Sequence, residues 1–180
     1  MPRMTPPPTP QATLAARAAR LSADDPSLGA WRAFIQAHAR LIRRLDEELQ
    51  AAHGLSLAEY DALLQLVGAP GRRLRMSALA DRVLLSRSGI TRLVDRLEAD
   101  GMVERIACSS DARGSEAAIT QQGLSRLRAA SRTHLDGVRR YFLDLIGDDE
   151  QLVIQRSLER VSGELVGDDA AAACGEPVEA

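Results

Sequence analysis

The chain has 180 residues, 45% hydrophobic, 27% charged and only 3% aromatic, proportions suited to one helical domain with a substantial core. Its 23 basic residues are all arginine and face 25 acids, so the net charge of −2 excludes a globally basic nucleic-acid coat and any anionic partner must meet a local patch. No apolar run approaches the ~18 residues of a membrane span, the start lacks the apolar centre of a secretory signal, and the two cysteines are too far apart to suggest a disulfide, so a cytoplasmic protein is expected.

The opening "MPRMTPPPTP" has five prolines in ten residues, which predicts a disordered tail over 1–25. Trp31, Phe34, Ile35, His38, Leu41, Ile42, Leu45 and Leu49 then follow the spacing of one helical face, predicting a helix over about 28–53 that stops at Gly54. "SLAE" at 56–59 is a capping box before Tyr60, Leu63, Leu64 and Val67, and "GAPG" closes that second helix. A short third helix carries Leu79, Ala80 and Val83. Leu84 and Leu85 make a brief turn, Ser86 caps a fourth helix and Gly101 ends it.

Beyond Gly101, "MVERIAC" and "SEAAI" read as two strands joined by the turn-forming "SSDARG", although Glu116, Ala117 and Ala118 are poor strand formers. Thr120 caps a long helix with the stripe Leu124, Leu127, Ser131, His134, Leu135, Val138, Tyr141, Phe142 and Leu145, broken by "GDD" at 147. A last helix carries Leu152, Val153, Leu158, Val161 and Leu165, and an acidic tail over 167–180 is expected to be flexible. The predicted fold is mainly α with a small β-hairpin: a single unit over 26–166, in which helices at about 28–53 and 120–166 flank a helix-turn-helix and hairpin at about 56–119.

The fourth helix is two-sided. Ile90, Leu93, Val94 and Leu97 share one face, while Ser88, Thr91, Arg92, Asp95 and Ala99 lie opposite, with Arg87 at the start. Once the apolar face packs on the preceding short helix, the polar N-terminal turn projects. Free N–H groups there attract phosphate, short hydroxyls permit close approach, and arginine grips guanine O6 and N7 bidentately. Gly89 is a candidate for close backbone approach. Asp95 either braces Arg92 or weakens phosphate attraction on that face. The bland alternative is a solvated amphipathic helix, but the local charge favours an anionic partner: residues 72–113 hold nine arginines against six acids, leaving the rest of the chain at −5. The hairpin tip adds Arg113, suited to a narrow minor groove, with Asp111 as support for the turn.

Together, "LSLAEYDALLQL", "SALADRVLLSRSGITRLVDRLEADGMVER", the Asp111-Ala-Arg113 spacing and Ile119-Thr120 followed by Gly123 resemble the MarR family of bacterial transcriptional regulators, over about residues 31–166. Ile119 stands where that family has leucine. The resemblance implies a winged helix-turn-helix in an obligate homodimer clamped by its terminal helices, with a recognition helix in each of two successive major grooves and wings in the flanking minor grooves. Residue by residue, it implies DNA contact by Ser86, Arg87, Ser88, Thr91, Arg92 and Arg113, and a structural role for Arg96. Apolar stripes on terminal helices support self-association on physical grounds as well.

His38 and His134 lie in apolar stripes and read first as core or interface groups; His53, at a helix end, reads as a surface or capping group. The resemblance implies an effector pocket lined by Trp31, Phe34, His38 and Tyr60, with a small apolar or aromatic ligand. The expected function is a DNA-binding transcriptional regulator, a homodimeric repressor of a pseudo-palindromic operator, relieved by such an effector. The alternatives are a winged-helix module that binds protein rather than DNA, or a thiol-oxidation sensor acting through Cys108. Neither metal-ligand spacing, phosphate loop nor nucleophile motif is present, so no cofactor, no metal and no enzymatic activity are expected.

Overall fold

The computed structural model describes residues 25–107 and 115–173, with backbone alone from 166. The chain divides into two compact units between Arg40 and Leu41, inside the first long helix, α1 (Gly29–His53). In the first unit a 3-10 turn, Pro26–Leu28, leads into α1, and Arg32 donates to the Asp25 carbonyl at 3.1 Å. Trp31, Phe34 and His38 form an exposed row along α1, with ring centroids 6.3 Å and 6.0 Å apart.

In the second unit, α2 (Leu57–Gly68) starts at the expected capping box. Ser56 Oγ accepts from the Glu59 N–H at 3.2 Å, and Glu59 Oε2 accepts from the Ser56 N–H at 2.9 Å. A further free N–H, that of Leu57, donates to Asp46 of α1 at 2.7 Å, so three groups that a helix start leaves open are satisfied. Tyr60, Ala62, Leu63 and Leu66 face the core.

The chain then forms a 3-10 turn and β1 (Arg73–Arg75), α3 (Met76–Val83), α4 (Arg87–Ala99), β2 (Val103–Ala107), β3 (Ser115–Ile119), α5 (Gln121–Tyr141) and α6 (Asp148–Ala173). The expected hairpin is β2 against β3, and β1 adds a third antiparallel strand in the order β1-β3-β2. "RLR" is too short to show an alternation, yet its middle residue, Leu74, is buried opposite Ala117. β3 is thus the central strand and packs on α2, and its Ala117 and Ala118 are both buried.

Thr120 Oγ1 accepts from the Gly123 N–H at 3.0 Å and donates to the Gly101 carbonyl at 2.7 Å, tying the start of α5 to the end of α4. A side chain at Gly123 would collide with the Met102 carbonyl and Ile119, so the Thr-x-x-Gly spacing is set by packing. Gly137 plays the same part where α5 crosses α1, because a Cβ there would run into Leu45. That crossing is closed by Glu48, which accepts from Tyr141 at 2.5 Å and pairs with Arg140 at 3.1 Å. α5 ends at Tyr141, ahead of the break expected at 147. Phe142 leaves helical geometry and a 3-10 turn, Leu143–Leu145, follows. No glycine or proline marks the spot; instead Gln151 of α6 donates to the Leu143 and Ile146 carbonyls at 3.2 Å and 2.8 Å, satisfying acceptors the break exposes.

Candidate nucleic-acid interface

The candidate interface is built on the turn between α3 and α4. Leu84 takes the left-handed conformation with φ 57, unusual for a non-glycine residue, and lets the chain reverse tightly enough for the Leu85 N–H to bond the Ala80 carbonyl at 2.9 Å. Ser86 then caps α4, its Oγ accepting from the Gly89 N–H at 3.1 Å and lying 3.2 Å from the Ser88 hydroxyl. Gly89 serves this cap, because a Cβ there would come within 3.2 Å of Ser86 Oγ.

Ile90, Leu93, Val94 and Leu97 are buried and anchor α4 in the core, while Ser86, Arg87, Ser88, Thr91 and Arg92 are all exposed, as the wheel predicts. The hydroxyls are partly engaged. Thr91 Oγ1 donates to the Arg87 carbonyl at 2.8 Å, which leaves its methyl group and lone pairs toward solvent. Among the described residues, neither Arg87 nor Arg92 has an ion-pair partner.

The remaining charges on α4 are committed. Asp95 pairs with Arg105 of β2 at 2.5 Å rather than with Arg92. Arg105 also meets Glu98 at 3.4 Å and donates to the Thr91 carbonyl at 3.3 Å, and its backbone N–H donates to Glu98 at 3.3 Å. Sequence reasoning passes over Arg105 because its partners lie seven to fourteen positions away on another element. Arg96 bonds Glu59 of the capping box at 2.9 Å, in keeping with the structural role the resemblance implies. Burial pushes the Glu59 carboxyl up, but the Ser56 backbone N–H, the Arg96 guanidinium and the Ser56 hydroxyl outweigh it and hold the group below its ordinary value.

Asp111, Arg113 and Cys108 lie outside the described residues. Of the residues expected to meet an effector, Trp31, Phe34 and His38 lie in the first unit, and Tyr60 is buried in the second. Tyr60 stacks on His134 with centroids 4.6 Å apart, and its hydroxyl reaches Ser131 at 3.4 Å. His134 Nδ1 is buried without a hydrogen-bond partner among the described residues. Burial lowers the imidazole pKa, partly opposed by the charge of Asp61. His53 joins α1 to α5, with Nε2 2.8 Å from Thr133 and its carbonyl accepting from Arg126 at 2.5 Å. No cluster of three or more potential metal ligands, and no helix long and apolar enough to cross a membrane, occurs among the described residues.

The model of the MarR family matches residues 53–114. The HTH-type transcriptional regulator PrsX of Escherichia coli is 30% identical over 129 residues, 69% of this chain and 75% of that protein. The crystal structure of AbsC, a MarR family transcriptional regulator from Streptomyces coelicolor, superposes with a TM-score of 0.75 at 32% identity, covering 82% of this chain and 99% of that one. Sco3205, a MarR family transcriptional regulator from the same organism solved in complex with DNA, gives 0.74 at 34% identity, covering 81% of this chain and 93% of that one.

Proposed function

The chain belongs to the MarR family of transcriptional regulators, and from that premise we propose that it is a sequence-specific double-stranded DNA-binding regulator: a homodimeric repressor released by a small-molecule effector. The observation that carries the reading is the first half of α4, where Arg87 and Arg92 stand exposed and unpaired among the described residues while every other charge on that helix is engaged or points elsewhere. Guanidinium groups left free in this way are suited to guanine edges and phosphates. The solved relative bound to DNA, at 34% identity, supports the same assignment. In this reading Ser86, Arg87, Ser88, Thr91 and Arg92 enter the major groove, Arg113 reaches the minor groove, and Asp111 supports the wing.

Self-association is proposed from the apolar residues that α6 leaves exposed, Leu152, Val153, Leu158, Val161 and Leu165. A face of this kind on a terminal helix is stabilised by burial against a second copy. For the effector, the row Trp31, Phe34 and His38 offers an exposed aromatic surface. An inducer that binds the dimer and changes its geometry then lowers operator affinity.

The test is to select genomic fragments with the purified protein and footprint the bound duplex. Two protected half-sites about one helical turn, ~34 Å, apart are expected. Failure to enrich any fragment over random DNA contradicts the proposal.

A further inference from the structure

α4 carries two acids, Asp95 and Glu98, on a helix whose other exposed side is suited to DNA, and both are gripped by a single residue from outside the helix. Arg105, in the middle of β2, places Nη2 2.5 Å from Asp95 and 3.3 Å from the Thr91 carbonyl, and Nη1 3.4 Å from Glu98. The Arg105 backbone N–H adds a bond to the other oxygen of Glu98 at 3.3 Å. The guanidinium spans almost two turns of α4, and its side chain is 30% exposed against 52% for Asp95 and 40% for Glu98. β2 is the strand that runs from α4 toward residues 108–114, which hold the expected wing arginine.

From this we propose that Arg105 is a positioning residue for DNA binding: it acts through Asp95 and Glu98, fixing β2 against α4 and offsetting part of the charge of two carboxylates beside the DNA-facing surface, without itself touching DNA. The inference rests on the DNA-binding reading. Its physical basis is twofold. A fork of fixed geometry that engages two carboxylates and a backbone carbonyl restrains strand and helix as one body. The same pairing lowers, from two units to one, the net negative charge that a polyanion would otherwise meet at close range. The role differs from that of Arg87 and Arg92, which have no such engagement among the described residues.

The test is a thermodynamic cycle on the duplex that the wild-type protein selects from genomic fragments, read by fluorescence anisotropy. Arg105→Ala is expected to weaken binding on the order of ten- to a hundredfold, the scale of losing hydrogen bonds to charged groups. In a background of Asp95→Asn with Glu98→Gln, the same change is expected to cost no more than about twofold, because its partners are already gone. Arg105→Lys, which keeps the charge without the fork, is expected to fall between. The slope of log affinity against log salt stays unchanged in Arg105→Ala. Equal losses in both backgrounds, together with a slope lower by about one, make Arg105 a phosphate ligand and overturn the proposal. Wild-type affinity in Arg105→Ala overturns it equally. Hydrogen exchange in the free protein separates this inference from its premise: Arg105→Ala speeds exchange of the Val103–Ala107 amides while the α5 amides stay protected, and unchanged exchange overturns the clamp whether or not the protein binds DNA.

Discussion

Arg92 is held away from the core by a helix face whose buried side is complete, and Asp95, the acid three positions along, is already taken by Arg105. In the proposed complex its guanidinium would therefore reach the groove without first breaking an ion pair. Arg92→Ala is expected to cost about 1–3 kcal/mol of operator affinity and to relax preference at the base it reads, whereas Arg113→Ala weakens binding more evenly across sequences. Affinities for single-base operator variants check both. Glu59 has the opposite character, since it is buried and serves stability. Its pKa is below the ordinary value when folded, so its contribution is present above the unfolded-state pKa and fades as pH falls through the folded-state value. Glu59→Gln is accordingly expected to lower stability by about 1 kcal/mol at neutral pH. In urea unfolding followed across pH, its gap from wild type narrows on the acid side.

At the scale of elements, the caps that start α2, α4 and α5 are written within four residues. Ser56 with Glu59, Ser86 with the Gly89 N–H, and Thr120 with the Gly123 N–H are all legible because cap and partner are sequence neighbours. Ser86→Ala is expected to cost about 1 kcal/mol of folding stability and to weaken DNA binding in parallel, since it frays the turn that carries Arg87 and Ser88. Thermal unfolding and operator titration of the same variant read both effects. What the sequence concealed depends on partners remote in the chain. β1 exists because Arg73 lies opposite Ala118 and Leu74 opposite Ala117, a pairing three residues cannot announce. The turn that follows α5 is held by Gln151 on the next helix, which donates to the Leu143 and Ile146 carbonyls. The partner of Asp95 was invisible for the same reason, so its charge could be located on the α4 surface before its role could be decided.

For the whole molecule, most buried residues of the second unit form one core that runs from Leu49 to Ala130 and includes the inward face of α4. Among the described residues, α6 contributes none of them and leaves Val153, Val161 and Leu165 more than half exposed. Such a helix is expected to be ordered by a second copy, giving twice the chain mass of 19.4 kDa in sedimentation equilibrium. Val161→Asp is expected to shift that mass toward the single chain while α4 remains folded. The proposed dimer would bind two half-sites together, so the same variant is expected to lose operator affinity far more than affinity for a single half-site. The account as a whole turns on whether α4 of this family member reads base sequence. The most direct measurement compares the selected duplex with a scrambled duplex of equal composition across a salt titration. The predicted result is a steep linear fall of log affinity with log salt for both, with the selected duplex bound at least about a thousandfold more tightly. Equal affinity for the two duplexes, or binding indifferent to salt, would contradict it.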